Sequence, residues 1–251
     1  MPLQSKIGDK IMQIGDVLKE DDVIVNFGQF KFFKSMLYNI YGEEMTSKSA
    51  ICLYIANELK KNGFNVLFFE TENKLKGYEA VRSIKYKEGI DKVLLGDYPI
   101  FVPKKITDRE TGNEKIVPDF SQFKNKIKIQ IDAEKVNAVI IDSISKPLIS
   151  YHFKIASAAI TNFFNDFREI ILEKELLGIV VSHAREDYNS TLKKVIWIPR
   201  GSQQSRYLVK RMMTKKITGD KTHNIYSLTY HNTVMTFDIN DDGTIDSERI
   251  G

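Results

Sequence analysis

The sequence predicts an α/β protein built on a largely parallel central sheet. Residues 66–69 (VLFF), 138–141 (AVII) and 178–181 (GIVV) are short continuous apolar runs, the pattern of strands buried on both faces. Stretches with helical spacing separate them. The strongest runs from Ile155 to Glu175, where Ile160, Phe163, Phe164, Phe167, Ile170 and Ile171 form one apolar stripe. No internal repeat, low-complexity tract or Pro/Ser-rich linker divides the 251 residues, so one domain is expected.

Taken in order, residues 1–34 read as a short N-terminal extension and residues 35–251 as the core. Residues 35–41 (SMLYNIY) form an aromatic-rich apolar run, a buried strand that ends at Gly42. From Lys48 to Lys61 the apolar residues Ile51, Leu53, Tyr54, Ile55 and Leu59 recur at helical spacing, and Asn62-Gly63 supplies a stop. A second helical pattern spans Gly77 to Glu88. Between Gly96 and Pro118, two prolines bracket KKITDRETGNEK, an exposed hairpin or loop to which the sequence assigns no role. After residue 205, RYLVKRMM, NIYSLTY and VMTFDIN, with an Asp241-Asp242-Gly243 turn, read as antiparallel additions at the end of the sheet.

Composition narrows the functional classes. Hydrophobic residues make up 42% of the chain, which excludes a disordered linker protein. No stretch approaches the roughly 18 consecutive apolar residues of a membrane span, and the first 22 residues hold no signal-peptide core, so a cytoplasmic protein is expected. The single cysteine, Cys52, excludes an internal disulfide and a multi-cysteine zinc site, and reads as a small core residue. The formal charge is only +4, but its distribution is uneven: from Arg185 to Lys221 ten basic residues face three acidic ones, a local +7 that leaves −3 for the rest.

Three strand ends carry polar groups suited to chemistry. Gly42-Glu43-Glu44-Met45-Thr46-Ser47-Lys48-Ser49 follows the first strand and opens the first helix. It matches the phosphate-loop pattern G-x-x-x-x-G-K-[ST] except that Ser47 stands for the second glycine. Backbone N–H groups of such a loop cradle phosphates, the lysine neutralises charge and the hydroxyl holds Mg²⁺. If the loop keeps a left-handed turn, Ser47 costs about 1 to 2 kcal/mol there. The competing reading is a polar strand-to-helix turn with an incidental lysine. The strand 138–141 ends in Asp142-Ser143, the form of a carboxylate that supports Mg²⁺ at a nucleotide site, or equally of an aspartate capping a loop. The strand 66–69 ends in Glu70-Thr71-Glu72-Asn73, whose carboxylates suit a general base.

This ordered set resembles the ATPase core of the RecA/RadA recombinases from about Gly42 to the end of the chain. The resemblance implies a RecA-like P-loop core, with a mostly parallel sheet flanked by helices and C-terminal antiparallel strands, that binds ATP and Mg²⁺. Gly42–Ser49 resembles the family's Walker A loop, Phe69-Glu70-Thr71-Glu72-Asn73 its segment with the catalytic glutamate, and Ile140-Ile141-Asp142-Ser143 its Walker B strand. By that likeness Lys48 holds the β- and γ-phosphates, Ser49 and Asp142 form the metal shell, and Glu72 serves the water. Val181-Ser182-His183-Ala184-Arg185 falls where the family has its γ-phosphate sensor. This makes His183 the sensor, with histidine in place of glutamine, and Arg185, Lys193, Lys194, Arg200 and Arg206 the residues that contact single-stranded DNA over a loop from Arg185 to about Gln204. Tyr188 or Trp197 could stack a base. The same basic residues would otherwise form a solvated face.

The family completes its site between subunits, so a homo-oligomer, ring or filament, or a recombinase partner is implied, with Lys210, Arg211, Lys215 or Lys216 reaching a neighbour. Two alternatives stay open: a non-hydrolysing DNA-binding or assembly paralogue with a degenerate loop, and a DnaB-type hexameric helicase, which shares the core. Asp238–Gly243 matches half of a calcium loop, but Arg249 stands at its twelfth position, and a hairpin turn is the better reading. Phe153-Lys154-Ile155-Ala156 resembles the contact that links recombinase protomers, at a position that makes it a coincidence. His152, His223 and His231 have no ligand spacing.

Overall fold

A computed structural model describes residues 22–71, 92–95, 99–107, 111–189, 194–199, 209–219, 224–240, 244–246 and 250–251, with the backbone alone described at 92–95, 185–189, 194–199 and 218–219. The strands are β1 (Val23–Phe27), β2 (Phe30–Phe33), β3 (Met36–Gly42), β4 (Val66–Glu70), β5 (Lys92–Leu95), β6 (Val102–Thr107), β7 (Glu114–Asp119), β8 (Ala138–Asp142), β9 (Leu177–Asn189), β10 (Lys194–Pro199), β11 (Lys210–Gly219), β12 (Asn224–Tyr230) and β13 (Thr233–Ile239). The helices described are α1 (Lys48–Lys61), α2 (Ser121–Glu134) and α3 (Phe153–Glu173). The helical pattern from Gly77 to Glu88 lies outside the described residues.

Nine strands form one sheet in the order β13-β12-β11-β3-β9-β8-β4-β5, with β10 paired to β9. The six from β11 to β5 run parallel, as the apolar runs require. All five residues of β4 and of β8 are buried, and alternate side chains enter opposite layers. Val66, Phe68, Ala138 and Ile140 pack with Ile51, Ile55 and Leu59 of α1. Leu67, Phe69, Val139 and Ile141 pack on the other face with α2 and α3, including Phe163 and Phe167. The result is a three-layer α/β structure with no exposed sheet face at its centre.

The structure changes three expectations. β11 pairs with β3 in parallel, from Lys210 opposite Tyr38 to Thr214 opposite Gly42, so only β12 and β13 continue the sheet antiparallel on that side. The reason is that β10 carries the chain back down, and the next strand starts beside Tyr38 in the direction of β3. Next, residues 184–189 and 194–199 pair as a hairpin in place of the expected loop, from Ala184 opposite Pro199 to Asn189 opposite Lys194. Finally, residues 23–33 of the N-terminal extension form the β1–β2 hairpin within the core: Val25, Phe27, Phe30 and Phe32 are buried. Residues 102–119 form the hairpin β6–β7, apart from the main sheet. Among the described residues no helix is long and apolar enough to cross a membrane.

The Phe27 ring sits edge-on to Tyr54 of α1 at 5.2 Å and to Phe237 of β13 at 5.4 Å, and none of it is exposed. Phe27→Ala is therefore expected to lower stability by about 3 to 5 kcal/mol in urea unfolding. A loss below about 1 kcal/mol would show that the hairpin is an appendage.

Candidate functional site

Parallel strands that end together create an edge where backbone and side-chain groups converge, the usual ligand position of open α/β sheets. Here the register aligns Thr214 of β11, Gly42 of β3 and His183 of β9. Two strands from Gly42 and next to β9, Asp142 of β8 lies opposite Glu70 of β4. Both carboxylates follow Phe68 and Ile140 by two residues, so they leave the sheet on the α1 face, and both are buried.

The loop from Gly42 to Ser49 joins β3 to α1 and turns through left-handed residues at Met45 (φ 59°) and Ser47 (φ 64°). Ser47 thus holds the conformation that a glycine takes without strain, at the position where the pattern expects glycine. Its side chain makes no cap hydrogen bond, while its carbonyl accepts from Ile51 N–H at 3.1 Å. Glu43, Glu44 and Met45 are exposed; Thr46, Lys48 and Ser49 are buried. Lys48 Nζ donates to Gly42 O and to Thr46 Oγ1, each at 3.3 Å, and to Glu43 O. The ammonium therefore lies inside the curl of the loop, at the N-terminal turn of α1.

Thr214 closes the loop from the side. Its Oγ1 is 2.8 Å from Thr46 Oγ1 and donates to Tyr41 O at 3.3 Å, while Thr46 Oγ1 also donates to Glu43 O at 2.8 Å. Gly42 is required by this approach, because a Cβ there would stand 2.4 Å from Thr214 O and 2.6 Å from Thr46 Oγ1.

Asp142 and Ser143 are joined by a cis peptide. Cys52, fully buried on α1, senses both sides of the site: burial first, then Asp142, push its thiol up, and Lys48 opposes them. His183 Nδ1 lies 3.6 Å from Glu44 Oε1, close enough for an ion pair when the imidazole is protonated, and the backbone N–H of His183 donates to Ser145 Oγ at 2.9 Å. Among the described residues no group of three or more His, Cys, Asp or Glu side chains could hold a metal. A Mg²⁺ site does not need one, since that ion keeps waters and takes one or two protein oxygens plus phosphate. The Ser49 hydroxyl and the Asp142 carboxylate, both hard oxygen donors, fit that requirement.

Gly42 to Ser49, Asp142 and His183 are thus brought to one edge. Glu72, Lys193, Arg200 and Arg206 lie outside the described residues. Arg185 and Lys194 are on the β9–β10 hairpin, opposite Ile198 and Asn189. Of the four cations expected to reach a neighbour's site, Lys215 and Lys216 follow Thr214 and so sit at this edge. Lys216 Nζ donates to Asn224 Oδ1 at 2.8 Å. Lys210 starts β11 at the opposite end, its Nζ 5.3 Å from the Phe33 ring centre and 5.8 Å from that of Tyr38, with burial lowering its pKa. Two residues at this edge escape the sequence pattern. Thr214 has no local signal because it is 168 residues from Thr46, and Thr71 is masked by the two glutamates that flank it.

No family model matches the chain, and no curated protein matches it.

Relieving the left-handed serine by Ser47→Gly is expected to raise stability by about 0.5 to 1 kcal/mol, read as a later urea midpoint. An earlier midpoint would mean that the Ser47 side chain contributes more than its backbone costs. Gly42→Ala is expected to cost about 1 to 3 kcal/mol, because Thr214 backbone must move to admit the methyl.

Proposed function

We propose that this chain is a RecA/RadA-like ATPase that binds Mg²⁺·ATP at the Gly42–Ser49 loop and acts on single-stranded DNA. The observation that supports this most is the left-handed loop around buried Lys48, opening α1 beside the strand end that carries buried Asp142. Its N–H groups and the α1 N-terminus suit the phosphates, and Lys48 exchanges its hydrogen bonds to loop carbonyls for bonds to the β- and γ-oxygens. Ser49 and Asp142 hold the metal shell. Mg²⁺ supplies charge neutralisation on the transferring phosphate. Glu72 takes the proton of the attacking water, and His183, lying against Glu44, registers the γ-phosphate and passes its presence along β9 into the hairpin that bears Arg185 and Lys194. Association of copies into a ring or filament places Lys215 or Lys216 near a neighbour's nucleotide.

A second reading, a DNA-binding or assembly protein that does not hydrolyse ATP, draws support from the left-handed Ser47, whose side chain occupies the place of the usual glycine. ATP turnover with and without single-stranded DNA separates the two. Lys48→Ala is expected to abolish nucleotide binding, and Glu72→Gln to keep binding while losing about 100-fold or more in kcat. Equal background turnover in all three proteins rules out the enzyme. Replacing Lys193, Lys194 and Arg200 together by alanine is expected to flatten the dependence of log K on log salt for DNA, by about one unit for each phosphate that is no longer neutralised. An unchanged slope refutes the assignment of these residues to DNA.

A further inference from the structure

Three hydrogen bonds from one side chain and its amide tie the end of β4 to the end of β8. Thr71 N–H donates to Asp142 O at 2.8 Å, Ser143 N–H donates to Thr71 Oγ1 at 2.9 Å, and Thr71 Oγ1 donates to Ser143 O at 2.6 Å. The regular ladder between these strands ends one residue earlier, at Glu70 opposite Asp142. Past that point the two chains would separate, and the Thr71 hydroxyl holds them by using both the donor and the acceptor capacity of a single oxygen. An alanine or valine has neither, and would leave the Ser143 N–H and C=O to find other partners in a place where Ser143 is fully buried.

What stands beside this clamp gives it a function. Asp142 immediately precedes Ser143, and its own carbonyl accepts the Thr71 N–H. We infer that Thr71 is a positioning residue that holds Asp142, the carboxylate of the metal shell, against the end of β4. This rests on the ATPase reading above. Thr71 does not itself touch nucleotide in this scheme. The phosphate loop is built from β3, α1 and β11, whereas the three bonds of the clamp all run to Asp142 and Ser143, so the clamp acts on turnover and leaves the phosphate loop in place. A displacement of about 1 Å at a reacting group is enough to slow a reaction on the order of 100-fold.

The test compares Thr71→Val, which keeps the shape and removes both hydroxyl bonds, with Thr71→Ser, which restores them without the methyl. ATP affinity is read by titration with a fluorescent ATP analogue, turnover by phosphate release, and folding by thermal melting. The expected result is a Thr71→Val protein that melts cooperatively, binds the analogue within about twofold of wild type and loses at least about 10-fold in kcat, with Thr71→Ser within about threefold of wild type. Unchanged kcat in Thr71→Val overturns the inference while leaving the ATPase reading intact. Loss of analogue binding or of the melting transition in Thr71→Val also overturns it, because the hydroxyl would then support the fold at large. Absence of turnover in wild type defeats the ATPase reading, and this inference with it.

Discussion

The contact between β11 and the last residue of β3 sets the geometry of the C-terminal edge. Gly42 lets the Thr214 backbone come closer than any side chain would allow, and that approach brings Thr214 Oγ1 to 2.8 Å from Thr46 Oγ1. The loop is therefore held at two points, by β3 where it starts and by a strand from later in the chain at Thr46. Because Gly42 also lies opposite His183, the same point fixes the height of β9 against the loop. The nearness of His183 to Glu44 follows from this register.

Local preference opposes the loop and tertiary packing overrides it. A serine at φ 64° costs about 1 to 2 kcal/mol relative to a right-handed conformation. Against this, α1 buries Ile51, Ile55 and Leu59 completely. Each such side chain contributes about 1.5 to 3 kcal/mol. The helix can dock only if the loop turns sharply enough to lay it on the β4–β8 face, so the same packing that forms the core keeps Ser47 left-handed. The clamp at Thr71 works at the same edge with another device: hydrogen bonds replace apolar burial where the strands have run out of ladder.

What can be read beforehand is local. β4, β8 and the first half of β9 announce themselves as unbroken apolar runs, and α3 as a stripe of phenylalanines and isoleucines, because burial on both faces or one face writes directly into sequence. The Gly42–Ser49 loop is equally legible, since all its members are contiguous. α2 escapes because Phe123, Ile127 and Ile131 alternate with Lys124, Lys126 and Lys128, and Ile129 is 69% exposed, which dilutes the stripe. The direction of β11 escapes for a different reason. Turn residues report that the chain reverses, and do not report how many reversals separate a strand from the one it finally pairs with. Thr214 shows the same limit, as its partner is fixed by that pairing and by nothing nearby in sequence.

The fold also redistributes the positive charge. The +7 from Arg185 to Lys221 suggests one basic loop, but Lys210 is engaged with two aromatic rings at the far end of β11, and Arg211, the next residue, lies opposite Asn39 of β3 at that same end. From Arg185 to Arg200, the hairpin and its immediate continuation, four basic residues meet Glu186 and Asp187, a net of only +2. Such a charge gives a single copy of the chain little attraction for a nucleic acid at physiological salt, where fields between exposed groups fade over about 8 Å. If the hairpin is the DNA contact, its affinity must come from repetition. Successive subunits would each add a small term along one strand, so that binding and assembly become a single event. An ATP site that governs assembly would then govern DNA binding without any subunit holding DNA tightly by itself.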